Sequence, residues 1–84
     1  EIIPPYPNPF NPQVTLQLSL QVSQWITTSI YNIHGQMVKP GKEQFINTGS
    51  YSVTWQPQNQ PAGVYFIQIK GNKFSEIFKV VYLK

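Results

Sequence analysis

Apolar side chains recur at every second position along much of this chain, and no window of helix length carries helical spacing. In VTLQLSL, residues 14–20, Val14, Leu16, Leu18 and Leu20 share one face while Thr15, Gln17 and Ser19 take the other. Successive residues of an extended strand point to opposite sides, so this stretch reads as a half-buried strand. WITTSIYNI, residues 25–33, is a second strand, dominated by β-branched residues, with Ile26, Thr28 and Ile30 on one face. SYSVTW, residues 50–55, alternates Tyr51, Val53 and Trp55 with polar partners. VYFIQI, residues 64–69, is almost continuously apolar, the pattern of a central strand buried on both faces. FSEIFKVVYL, residues 74–83, is the last strand.

The joints between these runs carry turn chemistry. NIHGQ, residues 32–36, sets Gly35 at the left-handed position that follows a type I turn. QMV begins a short return strand, KPGKE reads as a polar loop, and residues 44–48 read as another short strand. QPQNQPAG, residues 56–63, has two prolines, one glycine and no periodicity, and KGNK, residues 70–73, is a hairpin signal. Short strands at this regular spacing make an all-β fold: a small immunoglobulin-like or fibronectin-III-like antiparallel β-sandwich of about 7 strands. A barrel is the structural alternative.

Ahead of the first alternating run lies PPYPNPFNP, residues 4–12, with prolines at 4, 5, 7, 9 and 12. Proline has no backbone donor and a fixed φ, so this segment is expected to stay out of a hydrogen-bonded ladder. It reads as a proline-rich N-terminal brace along the first edge, with Phe10, between two Asn-Pro turns, plugging the end of the core. The expected organisation is a linker or brace over residues 1–13 and a sandwich over residues 14–84.

Composition removes several function classes. Six Lys stand against three Glu, giving a net charge of +3, and Arg and Asp are absent. The lysines are spread from Lys39 to Lys84 with no basic run, and the residue that reads guanine and phosphate bidentately is missing, so no nucleic-acid partner is expected. Without cysteine there is no disulfide and no thiolate metal site. No apolar run approaches the ~20 residues of a membrane-spanning helix, and no membrane insertion is expected. His34 is the sole histidine, sits in a turn, and has no carboxylate placed to orient it; the serines lie mostly on polar strand faces. The chain is read as no enzyme, with no cofactor and no metal. Trp25 and Trp55 would suit a sugar-stacking platform, but bulky aromatics in a small sandwich are more often core or rim. The first residue is Glu1 and not Met, so the chain is expected to be part of a longer protein.

The order of the motifs carries a resemblance. YPNPFNPQVTLQLSL, IYNIHGQMV, GSYSVTW, PAGVYFIQI and FKVVYLK follow one another from about residue 5 to residue 84. The series resembles the C-terminal sorting domain of the Por (type IX) secretion system of Bacteroidetes, with YPNPFNP, IYN-x-x-GQ-x-V and AGVYF as its distinctive pieces. The resemblance implies a small immunoglobulin-like domain attached to a secreted passenger protein. It implies folding in the periplasm in transit, recognition by the outer-membrane type IX translocon, and removal by a sortase-like peptidase. The passenger then ends at the cell surface or outside the cell. Carried over by position, Pro7, Asn8 and Pro9 match the N-terminal motif, Gly63, Val64 and Tyr65 the glycine–aromatic motif, and Lys79 and Lys84 the terminal strand. These are the expected recognition residues. Two departures are Leu20-Gln21, where relatives have Leu-Pro, and Trp55-Gln56-Pro57, where relatives have Trp-Asp-Gly.

Two other readings compete. A structural or adhesive module would self-associate, adding its extended N-terminal segment to a neighbour's sheet as a fibre subunit. An accessory domain of a carbohydrate-active enzyme would bind sugar through Trp25 and Trp55.

Overall fold

The structure is a computed structural model and describes residues 2–83. It holds seven strands: β1 (Ile2–Tyr6), β2 (Val14–Leu20), β3 (Gln24–Asn32), β4 (Met37–Ile46), β5 (Gly49–Trp55), β6 (Gly63–Lys70) and β7 (Ser75–Tyr82). One sheet has the order β1-β2-β5 and the other β4-β3-β6-β7, with every named pair antiparallel. Two antiparallel sheets packed face to face make the expected immunoglobulin-like sandwich.

The period-two pattern decides what lies between the sheets. Val14, Leu16, Leu18 and Leu20 of β2 face Ile26 and Ile30 of β3, with Tyr65, Ile67 and Ile69 of β6 and Val80 of β7 completing the layer; all are buried. A one-residue slip in any of these strands would turn its whole apolar set to water, so the pattern fixes the register. Removing a side chain such as Leu16 from this layer would cost about 2–5 kcal/mol.

Three expectations change. The proline-rich segment does not stay wholly outside the ladder: β1 pairs Ile2 with Leu18 and Ile3 with Gln17, and Tyr6 meets Thr15 after an irregularity. β1 is an edge strand, and Pro4 and Pro5 fall where its register with β2 is interrupted, between Ile3 and Tyr6, so their missing donors break no regular ladder. KPGKE is not a loop between two short strands, since β4 runs unbroken from Met37 to Ile46. There the register steps from Thr28–Lys42 to Ile30–Lys39, so Pro40 and Gly41 form a bulge opposite Ser29. A Cβ on Gly41 would collide with Ser29 Oγ and Thr27 Cγ2, which is why glycine suits that place. The bulge covers Ser29, the one buried polar residue among those described. Finally, β6 is central in its sheet but buried on one face only. Val64, Phe66 and Gln68 are half-exposed on the outer side, because no third layer covers it.

Other turns form as expected. Gly35 has φ +80° and donates its N–H to Asn32 O at 3.0 Å, and Gly71 N–H reaches Phe74 O at 2.9 Å in the β6–β7 hairpin.

Candidate functional site

The N-terminal motif lies against the last strand. After Tyr6 the chain leaves the three-stranded sheet and crosses to β7, at the edge of the other sheet. Asn8 makes the first contact with its side chain. Its amide Nδ2 donates to Lys79 O at 3.0 Å, and its Oδ1 accepts from Val81 N–H at 3.0 Å. Phe10 makes the second with its backbone, donating to Val81 O and accepting from Leu83 N–H, both at 2.9 Å. Asn8 thus does with a side chain what Phe10 does with a peptide. Phe10 runs parallel to Tyr82 there. Pro7 and Pro9 are exposed on either side of Asn8.

The Phe10 ring closes the end of the core. It is 1% exposed, stacks on Tyr82 with centroids 5.2 Å apart, and tilts against Trp55 at 5.8 Å. Trp55 meets Tyr65 edge-on at 5.1 Å. Aromatic pairs in such geometry add about 0.5–1.5 kcal/mol beyond their buried area.

The glycine–aromatic motif arrives at the same corner through the β6–β7 register, which pairs Gly63 with Tyr82, Val64 with Val81 and Tyr65 with Val80. Gly63 has φ +147°, a conformation that suits glycine. The Tyr65 hydroxyl donates to Pro61 O at 2.5 Å, a bond from the start of the strand back to the preceding loop, as in the tyrosine corner of immunoglobulin-like domains. Burial pushes the Tyr65 phenol above the ordinary value of 10.0, with the neighbouring Tyr82 adding to the rise.

Seven of the eight expected recognition residues therefore meet in one place. Pro7, Asn8, Pro9, Gly63, Val64 and Tyr65 gather around the end of β7, and Lys79 lies beside them with its side chain exposed. Lys84 lies outside the described residues. Within this set Asn8 and Tyr65 are tied into the fold, whereas Pro7, Pro9 and Lys79 face solvent.

Sequence reasoning missed what holds the third motif together. In IYN-x-x-GQ the Asn32 side chain accepts from His34 N–H and Gln36 N–H, each at 2.9 Å, and donates to Gln36 Oε1 at 2.9 Å. An asparagine folding back on the backbone two residues ahead is a readable signal of such a turn. His34 itself is exposed.

The two tryptophans are not neighbours. Trp55 is 6% exposed in the core, and Trp25 is 52% exposed on the outer face of the four-stranded sheet, edge-on to Phe45 at 5.5 Å. They do not make a common sugar platform. Among the described residues no three His, Cys, Asp or Glu side chains cluster to hold a metal ion.

A family model, secretion system C-terminal sorting domain, matches residues 5–83. No curated protein and no solved structure gives a significant match. The match takes in all three motifs, two of which meet at the corner, and the chain belongs to the C-terminal sorting domains of type IX secretion, a family of non-catalytic signals for export to the cell surface or the extracellular space.

Proposed function

We propose that this domain is the export address of an attached passenger, handed to the outer-membrane type IX translocon after folding in the periplasm. The passenger is then released or held at the cell surface, once a sortase-like peptidase has cut upstream of the sandwich. Residues 1–13 are the boundary segment, and residues 14–84 the sandwich that carries it.

One observation supports this above the others: segments distant in sequence form one corner. Asn8 joins Lys79 to Val81 across more than seventy residues, and Gly63 and Val64 flank the same stretch of β7. A corner already fixed by four hydrogen bonds and a buried ring loses little conformational freedom when a receptor binds it. In this reading Pro7, Pro9, Val64 and Lys79 meet the translocon, and Asn8, Gly63 and Tyr65 hold them in place. Lys84 is the next positive charge along the chain.

The test fuses residues 1–84 to the C-terminus of a periplasmically targeted fluorescent protein, in a bacterium with a working type IX system. Export that stops when the translocon is disabled is the expected result. Lys79→Glu should reduce export with the domain still folded. A folded fusion held in the periplasm would overturn the reading.

A further inference from the structure

The outer edge of β7 is covered along half its length only. Val81 presents both its N–H and its C=O outward, to Asn8 and Phe10. Backbone groups on an antiparallel edge strand alternate between the paired side and the open side. The groups of Ile77 and the N–H of Lys79 therefore face outward too, four and two positions back along the strand. They have no hydrogen-bond partner among the described residues, where β6 is the one strand paired with β7. The cause lies in the first strand. Ile2–Tyr6 passes near β7 but is hydrogen-bonded to β2 in the other sheet, and the chain first bonds the edge of β7 at Asn8.

Directly inside this bare edge is a groove of about 610 Å³ between the two sheets. Its walls include Ile2, Leu18 and Leu20 from one sheet and Phe74 and Phe78 from the other. Glu76 lines it as well, is exposed, and forms no ion pair among the described residues. The other acidic residue described, Glu43, is on β4 at the opposite edge of the sheet.

We propose that the edge from Ser75 to Lys79 and this groove form a strand-addition site for an extended peptide of a partner protein. The bare backbone groups specify the occupant's conformation, since only an extended chain satisfies N–H and C=O groups repeating at strand spacing. The groove specifies its side chains. Every second residue of an added strand points inward, so the peptide carries an apolar residue over Leu18, Leu20 and Phe78. The lone carboxylate of Glu76 specifies a Lys or Arg two positions along. The added strand makes a fifth member of the four-stranded sheet. The site adjoins the corner at Lys79, whose C=O is held by Asn8 while its N–H belongs to the bare edge, and neither the edge nor the groove depends on the export role.

The test pans a displayed library of random dodecapeptides on the domain. Enriched peptides should share alternating apolar residues and one basic residue. They should bind Ile77→Pro about tenfold more weakly, the equivalent of one lost hydrogen bond. Position 77 points its N–H away from β6, so proline removes the outward donor and leaves the β6–β7 ladder intact. Ile77→Thr, which keeps the donor, should bind as the parent does, and Glu76→Lys should lose the preference for a basic residue. If Ile77→Pro fails to fold, amide exchange on the unaltered domain decides. A selected peptide must protect the N–H groups of Ile77 and Lys79 and leave that of Val81 unchanged. Failure to enrich any peptide, equal binding to Ile77→Pro, or protection elsewhere would overturn the proposal. So would a concentration-dependent dimer closing this edge without peptide, which would assign it to a second copy of the chain.

Discussion

The two ends of β7 are opposites. At one end its edge is covered, the core beneath is sealed by Phe10, and four aromatic rings meet. At the other, outward backbone groups lie bare over a groove that reaches Leu18 and Leu20. Both ends belong to one strand in one sheet, so β-propensity does not separate them. The difference is a side chain. Asn8 supplies a donor and an acceptor at strand spacing, and nothing among the described residues does so opposite Ile77. Whether an edge is available to another chain is set here by a residue roughly seventy positions away, and not by the edge itself.

Substitutions at the two ends should separate them by size of effect. Phe10→Ala should cost about 3–5 kcal/mol in urea unfolding, because it opens a cavity beneath its two ring neighbours, Trp55 and Tyr82. Phe74→Ala, half-buried at the groove, should cost about 1–2 kcal/mol. Equal costs would show that the covered end is no better packed than the open one. Asn8→Ala should cost about 1–2 kcal/mol and speed amide exchange at Val81, with Ile77 unaffected. If Val81 exchange stayed slow, the Asn8 side chain would not be what covers the edge.

The covered end should also be sensitive to alkali. Tyr65 titrates above 10.0 when folded and near 10.0 when unfolded. Its neutral form therefore favours the fold at neutral pH, and that contribution is lost as the pH rises past 10 and through the raised value. Thermal unfolding in this range should show a falling Tm, with a smaller fall in Tyr65→Phe. Tyr65→Phe should itself cost about 1 kcal/mol at neutral pH for the bond to Pro61. The smallest effect belongs to Ile77→Thr, within about 0.5 kcal/mol, since that side chain is 62% exposed and the edge N–H is kept.

Much of this was legible in the sequence, for a local reason. The alternation in β2, the glycine of the NIHGQ turn and the hairpin at residues 70–75 each follow from a few adjacent residues. The plugging role of Phe10 was also readable, as an apolar residue isolated among prolines. The hidden features are those in which a residue acts far from its place in the chain. Nothing beside Asn8 announces that its amide completes the edge of β7. Nothing in KPGKE states that an edge strand tolerates Pro40 and that Ser29 lies beneath Gly41. The nearly unbroken apolar run of β6 suggested cover on both faces, and only the sheet order leaves Val64 and Phe66 on an open one. The expected recognition residues were chosen by motif order, and the meeting of seven of them at one corner became visible only with the register of β6 on β7.

The bond from Asn8 to Val81 spans 73 positions, nearly the whole chain. Contacts this distant form late, because the loop they close must be ordered first. During synthesis Asn8 and Phe10 emerge long before the strand that receives them. A product that stops short of Lys79 has no surface for either residue to settle on, and its Phe10 ring lacks the cover of Tyr82. The corner therefore exists only in a molecule whose translation ran through to the last strand, which makes it a mark of completeness as well as of shape.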